Sequence, residues 1–146
     1  MSPQEVASRL YRPQDPKIDI EVYFDLLGKN LKTPSAKITR HPLDPSGEGR
    51  TLTEVSSPRK NGKRNVVLTA GFHPGPEPQP IICLLSFIDK IFRYAKEKKV
   101  GLTCFPLVNE LGAIKGMRYW DGEPPNGTAN NDAIRFDGDP QKDSLP

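Results

Sequence analysis

Histidine, cysteine and tryptophan are scarce in this chain. Its 146 residues include two histidines, two cysteines and one tryptophan. The cysteines, Cys83 and Cys104, form no CxxC pair. They could close one disulfide at most, but each falls inside an apolar segment. That placement reads as buried free thiols in a reducing compartment. No apolar run approaches the ~20 residues a bilayer-spanning helix needs. The start, "MSPQEVASRLYRPQDPK", lacks the apolar stretch of a secretory signal. The expected location is therefore the cytoplasm, with no membrane partner.

Charge of one sign is also in short supply. The formal net charge is +3, which suits a soluble protein and does not by itself argue for nucleic acid. The densest basic run, "PRKNGKR" at residues 58–64, has no aromatic residue interleaved. It reads as a solvated hairpin turn, and no nucleic-acid partner is expected.

Proline and glycine are plentiful, at sixteen and twelve. Hydrophobic content is 35% and charged content 27%, somewhat polar for a compact domain yet unlike a disordered chain. The length fits one domain. Residues 1–34 read as an N-terminal helical extension. Within it, residues 18–31 place Ile18, Val22 and Leu26, with Tyr23 and Leu27, on one stripe at helical spacing.

The main domain is expected over residues 35–146. An extended stretch at 36–43 is followed by a turn rich in Asp, Pro, Ser and Gly at 44–50. "TLTEVSS", residues 51–57, alternates like a half-buried strand. "NVVLTAGF", residues 65–72, is apolar without alternation, as expected of a central strand buried on both faces. Residues 81–99 carry Leu84, Leu85, Ile88, Ile91, Phe92 and Ala95 at helical spacing. Lys96, Lys98 and Lys99 follow at the carbonyl end, where cations complement the helix dipole. "VGLTCFPLVN", residues 100–109, reads as a second buried strand. Strand, helix and strand make a βαβ crossover with parallel pairing. The expected fold class is therefore α/β, a mixed and partly parallel sheet with flanking helices. From residue 110 the pattern fades into irregular sequence.

Ligands of open α/β sheets bind beyond the carboxyl ends of the strands. At that edge stand His73 and Glu77, in the proline-rich loop "TAGFHPGPEPQP". Imidazole and carboxylate are both zinc donors. A loop holding Pro74, Pro76, Pro78 and Pro80 loses little entropy when fixed. On spacing alone the pair reads first as a polar loop with a locally bonded histidine, since a lone His/Glu pair is a weak motif. Asn109 ends the second strand, and a long loop carries Arg118, Tyr119, Trp120, Asn130, Asn131 and Arg135.

Taken together, "NVVLTAGFHPGPEPQP", "LLSFID", "LTCFPLVNELGAIKGMRYW" and "PPNGTANNDAIRF" resemble the zinc carboxypeptidase superfamily. The likeness is greatest to the branch of succinylglutamate desuccinylase and aspartoacylase. It covers about residues 45–137, the first part of such a domain. The resemblance implies zinc as cofactor, with His73 and Glu77 as its first two ligands. It implies an Asn109–Gly112 turn, Arg118 as a catalytic and substrate-binding group, and Asn131 and Arg135 as further substrate contacts. The implied substrate is a peptide or an N-acyl amino acid. The chain departs from the family in spacing, His-x-x-x-Glu in place of His-x-x-Glu, and has no histidine after His73. His41 is the only other histidine and reads as a strand-edge residue. Glu110 lies near the edge, but the resemblance gives it no role. The expected protein is a truncated zinc-carboxypeptidase-like amide hydrolase that self-associates or pairs with a complementing polypeptide. The alternative is a non-catalytic binding module that keeps the first half of the fold.

Overall fold

The computed structural model describes residues 1–12, 14, 15, 17–42, 51–58, 64–72, 74 and 77–116. Two short helices come first. Helix α1 (Pro3–Leu10) starts with a reciprocal cap: Ser2 Oγ accepts from the Glu5 N–H, and the Ser2 N–H donates to Glu5 Oε2. Pro3 takes the first turn, where a missing N–H costs nothing. Helix α2 (Ile20–Asn30) is capped by Asp19, whose carboxylate accepts from the N–H groups of Glu21 and Val22. Of the stripe expected from the sequence, Tyr23, Leu26 and Leu27 are buried and Val22 is half-buried.

Strands β1 (Lys37–Pro42) and β2 (Thr51–Ser56) pair antiparallel. Strand β3 (Asn65–Thr69) leads into the long helix α3 (Gln79–Glu97), which returns to strand β4 (Gly101–Phe105). β3 and β4 pair in parallel, from Asn65 opposite Gly101 to Thr69 opposite Phe105. β2 and β4 pair antiparallel, so the strand order is β1-β2-β4-β3. The sheet is mixed and flanked by helices, as the sequence implied. Helix α4 (Glu110–Lys115) follows β4 closely.

One apolar core joins the N-terminal helices to the rest. Val6, Leu10, Ile18, Tyr23, Leu26 and Leu27 pack in the same cluster as Ile81, Leu85, Ile88, Phe92, Leu102 and Leu107. Burying each large apolar side chain contributes about 1.5–3 kcal/mol, so α1 and α2 are part of what holds α3 in place. Among the described residues, no helix is long and apolar enough to cross a membrane.

Three expectations change. β3 is not central among the described residues, because only β4 borders it. Val66 is 43% exposed and Val67 59%. Successive side chains point to opposite faces, so β3 is open on both faces there. An apolar run marks surface that favours burial; it does not name the element that covers it. Next, residues 110–115 are helical rather than irregular. Finally, Cys83 is exposed, while Cys104 is buried. The inward stripe of α3 includes Ile81 and Leu85; residue 83 is two positions from each, about 200° around the helix. Both thiols are free.

Candidate metal centre

The loop after β3 is fixed to the segment after β4 by a continuous ladder. Ala70 N–H donates to the Phe105 carbonyl, Val108 N–H to the Ala70 carbonyl, and Asn109 N–H to the Gly71 carbonyl, at 2.9–3.0 Å. Gly71 sits at φ +72°, in the left-handed region. A β-carbon there would stand 2.8 Å from Leu107 Cδ1 and 3.2 Å from Ile81 Cγ1. Both conformation and space therefore require glycine at this turn.

Beyond Gly71 two side chains hold the loop. Asn109 Nδ2 donates to the Phe72 carbonyl at 3.1 Å. The Tyr11 hydroxyl, at the end of α1, donates to the Pro74 carbonyl at 3.0 Å. The Pro74 side chain is fully buried. Burial also pushes the Tyr11 hydroxyl pKa far up, keeping it a proton donor at neutral pH. Glu77 lies on the far side of the loop, exposed, two residues before α3.

Asn109 does more than hold Phe72. Its Oδ1 accepts from the Gly112 N–H at 2.8 Å and caps α4. Gly116, at φ +69°, closes that helix. The Asn109–Gly112 turn named from the sequence is thus a compact unit at the carboxyl edge of the parallel pair.

Beside it lies a buried polar cluster that sequence reasoning did not assign. Glu110 is only 5% exposed. Its carboxylate accepts from the Thr51 hydroxyl and, at 2.5 Å, from the Thr53 hydroxyl. Arg40 Nη2 stands 3.5 Å away, with its guanidinium 4.5 Å from the Phe24 ring centre. The Tyr23 hydroxyl is buried and has no hydrogen-bond partner among the described residues. Burial, and then the nearby Glu110 charge, raise its pKa well above the usual tyrosine range. The cluster ties α4 to β1 and β2. The available signal was a carboxylate just after a capping asparagine, where the helix dipole favours negative charge.

His41 faces away from this cluster. Its Nε2 is 2.9 Å from Glu54 Oε2. His41 pairs with Leu52, and Leu52 and Glu54 alternate with the inward Thr53 and Val55. This is the strand-edge histidine expected.

His73, Arg118, Asn131 and Arg135 lie outside the described residues. Among the described residues, no group of three His, Cys, Asp or Glu side chains could hold a metal ion. The imidazole and carboxylate of His73 and Glu77 match zinc in donor chemistry, as two of the ligands such a site requires.

No family model matches the chain, and no curated protein does. Among the solved structures that share its fold are three described as candidate metallopeptidases. The Shewanella amazonensis protein is 31% identical, with a TM-score of 0.55, over 74% of this chain and 40% of its own. The Shewanella baltica protein is 29% identical, with a TM-score of 0.52, over 74% and 39%. The Shewanella denitrificans protein is 23% identical, with a TM-score of 0.54, over 74% and 40%, and speaks to fold alone. The chain spans about two fifths of the length of these structures.

Proposed function

We propose that this chain carries the first two metal ligands of a zinc-dependent amide hydrolase of the metallocarboxypeptidase type. The observation that supports this best is positional. The loop bearing His73 and Glu77 leaves the carboxyl end of β3 beside the Asn109–Gly112 turn, in a fold shared with the Shewanella amazonensis and Shewanella baltica candidate metallopeptidases. That edge is where open α/β sheets bind ligands.

In this reading His73 and Glu77 hold zinc. When bound, zinc supplies Lewis acidity toward the scissile carbonyl and the attacking water. Arg118 holds a substrate carboxylate, or the oxygen that gains charge, by paired hydrogen bonds. Asn131 orients the substrate and Arg135 makes a second anion contact. The substrate class is a peptide or an N-acyl amino acid, and the branch is that of succinylglutamate desuccinylase and aspartoacylase. The compartment is the cytoplasm. Such a site also takes a third ligand and a general base; a second copy or a complementing polypeptide is one source of them.

The test is zinc stoichiometry of the full chain at neutral pH, by dialysis and elemental analysis. One zinc per chain is expected, lost in His73→Ala and kept in His41→Ala. Equal loss in both variants would overturn the ligand assignment. No zinc in the wild type would turn the reading to a non-catalytic binding module.

A further inference from the structure

The sheet has two edges, and their residues differ in kind. With the order β1-β2-β4-β3, the edge strands among the described residues are β1 and β3. β1 carries Lys37, Arg40, His41 and Pro42. Charge and proline are the devices that keep an edge strand from pairing with another chain. β3 reads Asn65-Val66-Val67-Leu68-Thr69 and has neither. All but Leu68 are exposed, Val66 at 43% and Val67 at 59%. Such an edge offers backbone N–H and C=O groups beside apolar side chains, a template for one more strand.

We propose that β3 pairs with β3 of a second copy of this chain, antiparallel about a two-fold axis at Val67. The inference stands apart from the metal-ligand reading, since it rests on strand order, exposure and the pattern of five residues.

That pattern is its own reverse: polar, apolar, apolar, apolar, polar. In this register Asn65 stands opposite Thr69 of the partner subunit, Val66 opposite Leu68 of the partner subunit, and Val67 opposite Val67 of the partner subunit. Side chains alternate between the two faces, and an axis perpendicular to the sheet keeps each face on its own side. Polar therefore meets polar and apolar meets apolar, as a self-complementary two-fold interface requires. Cross-strand pairs of this kind are what stabilise a sheet.

Charge selects the same alignment. The nearest cation along the chain is Arg64, directly before β3. In the antiparallel register it faces Ala70 of the partner subunit. The two arginines are then six residues apart along the strand, about 20 Å, well beyond the Debye length of about 8 Å. A parallel in-register alignment would set them side by side, about 5 Å apart. A stable interface takes about 20–30 residues a side, and β3 offers five. The dimer is therefore reversible and grows with concentration.

The test uses the full chain with a chelator present, so that metal binding has no part in the outcome. Cys83→Ser first removes the exposed thiol. Directly opposed residues of an antiparallel pair have Cα atoms about 4.5–5.5 Å apart, within reach of a disulfide. Val67→Cys is therefore expected to bridge to its own copy on mild oxidation. Asn65→Cys alone is expected not to bridge, because the two positions lie about 13 Å apart. Mixed with Thr69→Cys, it is expected to give the mixed disulfide. No bridge at 67, or a self-bridge at 65, would overturn the proposal.

Sedimentation velocity over a concentration series gives the second readout. The wild type is expected to show a monomer–dimer equilibrium. Val67→Lys opposes two ammonium groups on the axis and is expected to weaken association about tenfold. Ile38→Lys, on β1 and 40% exposed, is expected to leave it unchanged. Equal weakening by both lysines would overturn the proposal. So would a wild type that stays monomeric at every concentration, which would leave the β3 edge to a different polypeptide.

Discussion

The side-chain amide of Asn109 lies directly over Gly112, close enough that a β-carbon at 112 would stand 2.4 Å from Asn109 Nδ2 and 2.8 Å from its Oδ1. The same side chain accepts from the Gly112 N–H and donates to Phe72. The glycine is what lets one asparagine cap a helix and hold a loop together. Gly112→Ala should push the amide aside and cost about 1–3 kcal/mol, although alanine is the better helix former. Urea unfolding would measure it, and an unchanged or raised midpoint would show that the amide has room to move.

Acid should weaken the protein through Asp89. Its carboxylate accepts from the Lys32 N–H and the Thr33 hydroxyl, and pairs with Arg93, each at 2.9 Å. Burial pushes its pKa up, but the Thr33 and Lys32 hydrogen bonds and the Arg93 charge outweigh that and hold it below the usual value. A depressed folded pKa means stability that is present above the unfolded value of ~4 and lost as pH falls through the folded one. Asp89→Asn should therefore cost about 1–2 kcal/mol near pH 7. The gap to wild type should close in acid. A gap that stays constant from pH 7 to about 3 would show that the charge contributes nothing.

The two thiols should separate cleanly. Cys104 is 1% exposed, and burial pushes its pKa up to about 12, so both access and thiolate are denied. Cys83 lies exposed on α3. An aromatic disulfide reagent at pH 8 should label one thiol per native chain promptly and the second only on unfolding. Prompt labelling of both would mean that β4 opens readily.

The β3–α3–β4 crossover was legible because each piece carries its own pattern: an apolar run, a helical stripe with lysines at its end, and a second apolar run. β1 and β2 were legible for the same local reason. Helix α1 was harder, since its buried residues are only Val6 and Leu10, although Ser2, Pro3 and Glu5 spell out a helix start. Helix α4 is short and holds Gly112, a poor helix former. It exists because Asn109, Gly116 and the threonine-bound Glu110 fix its ends and its seat. Those determinants are mostly tertiary. At the candidate site, the edge position of the loop carrying Glu77 followed from the crossover. The hold of Tyr11 on Pro74 spans 63 residues, and no local periodicity encodes a partner at that distance.

That separation also sets an order of events. As a chain is synthesised from its N-terminus, α1 and Tyr11 emerge well before Pro74, and Ile18 well before Ala113. Contacts between distant residues must first meet the entropy of closing the intervening loop. The ties of Tyr11 to Pro74 and of Ile18 to Ala113 are therefore late arrivals, made after the neighbouring strands and α3 have formed. Contacts that close late are also natural sites of early fraying on warming. The Tyr11–Pro74 and Ile18–Ala113 ties should accordingly melt before the sheet.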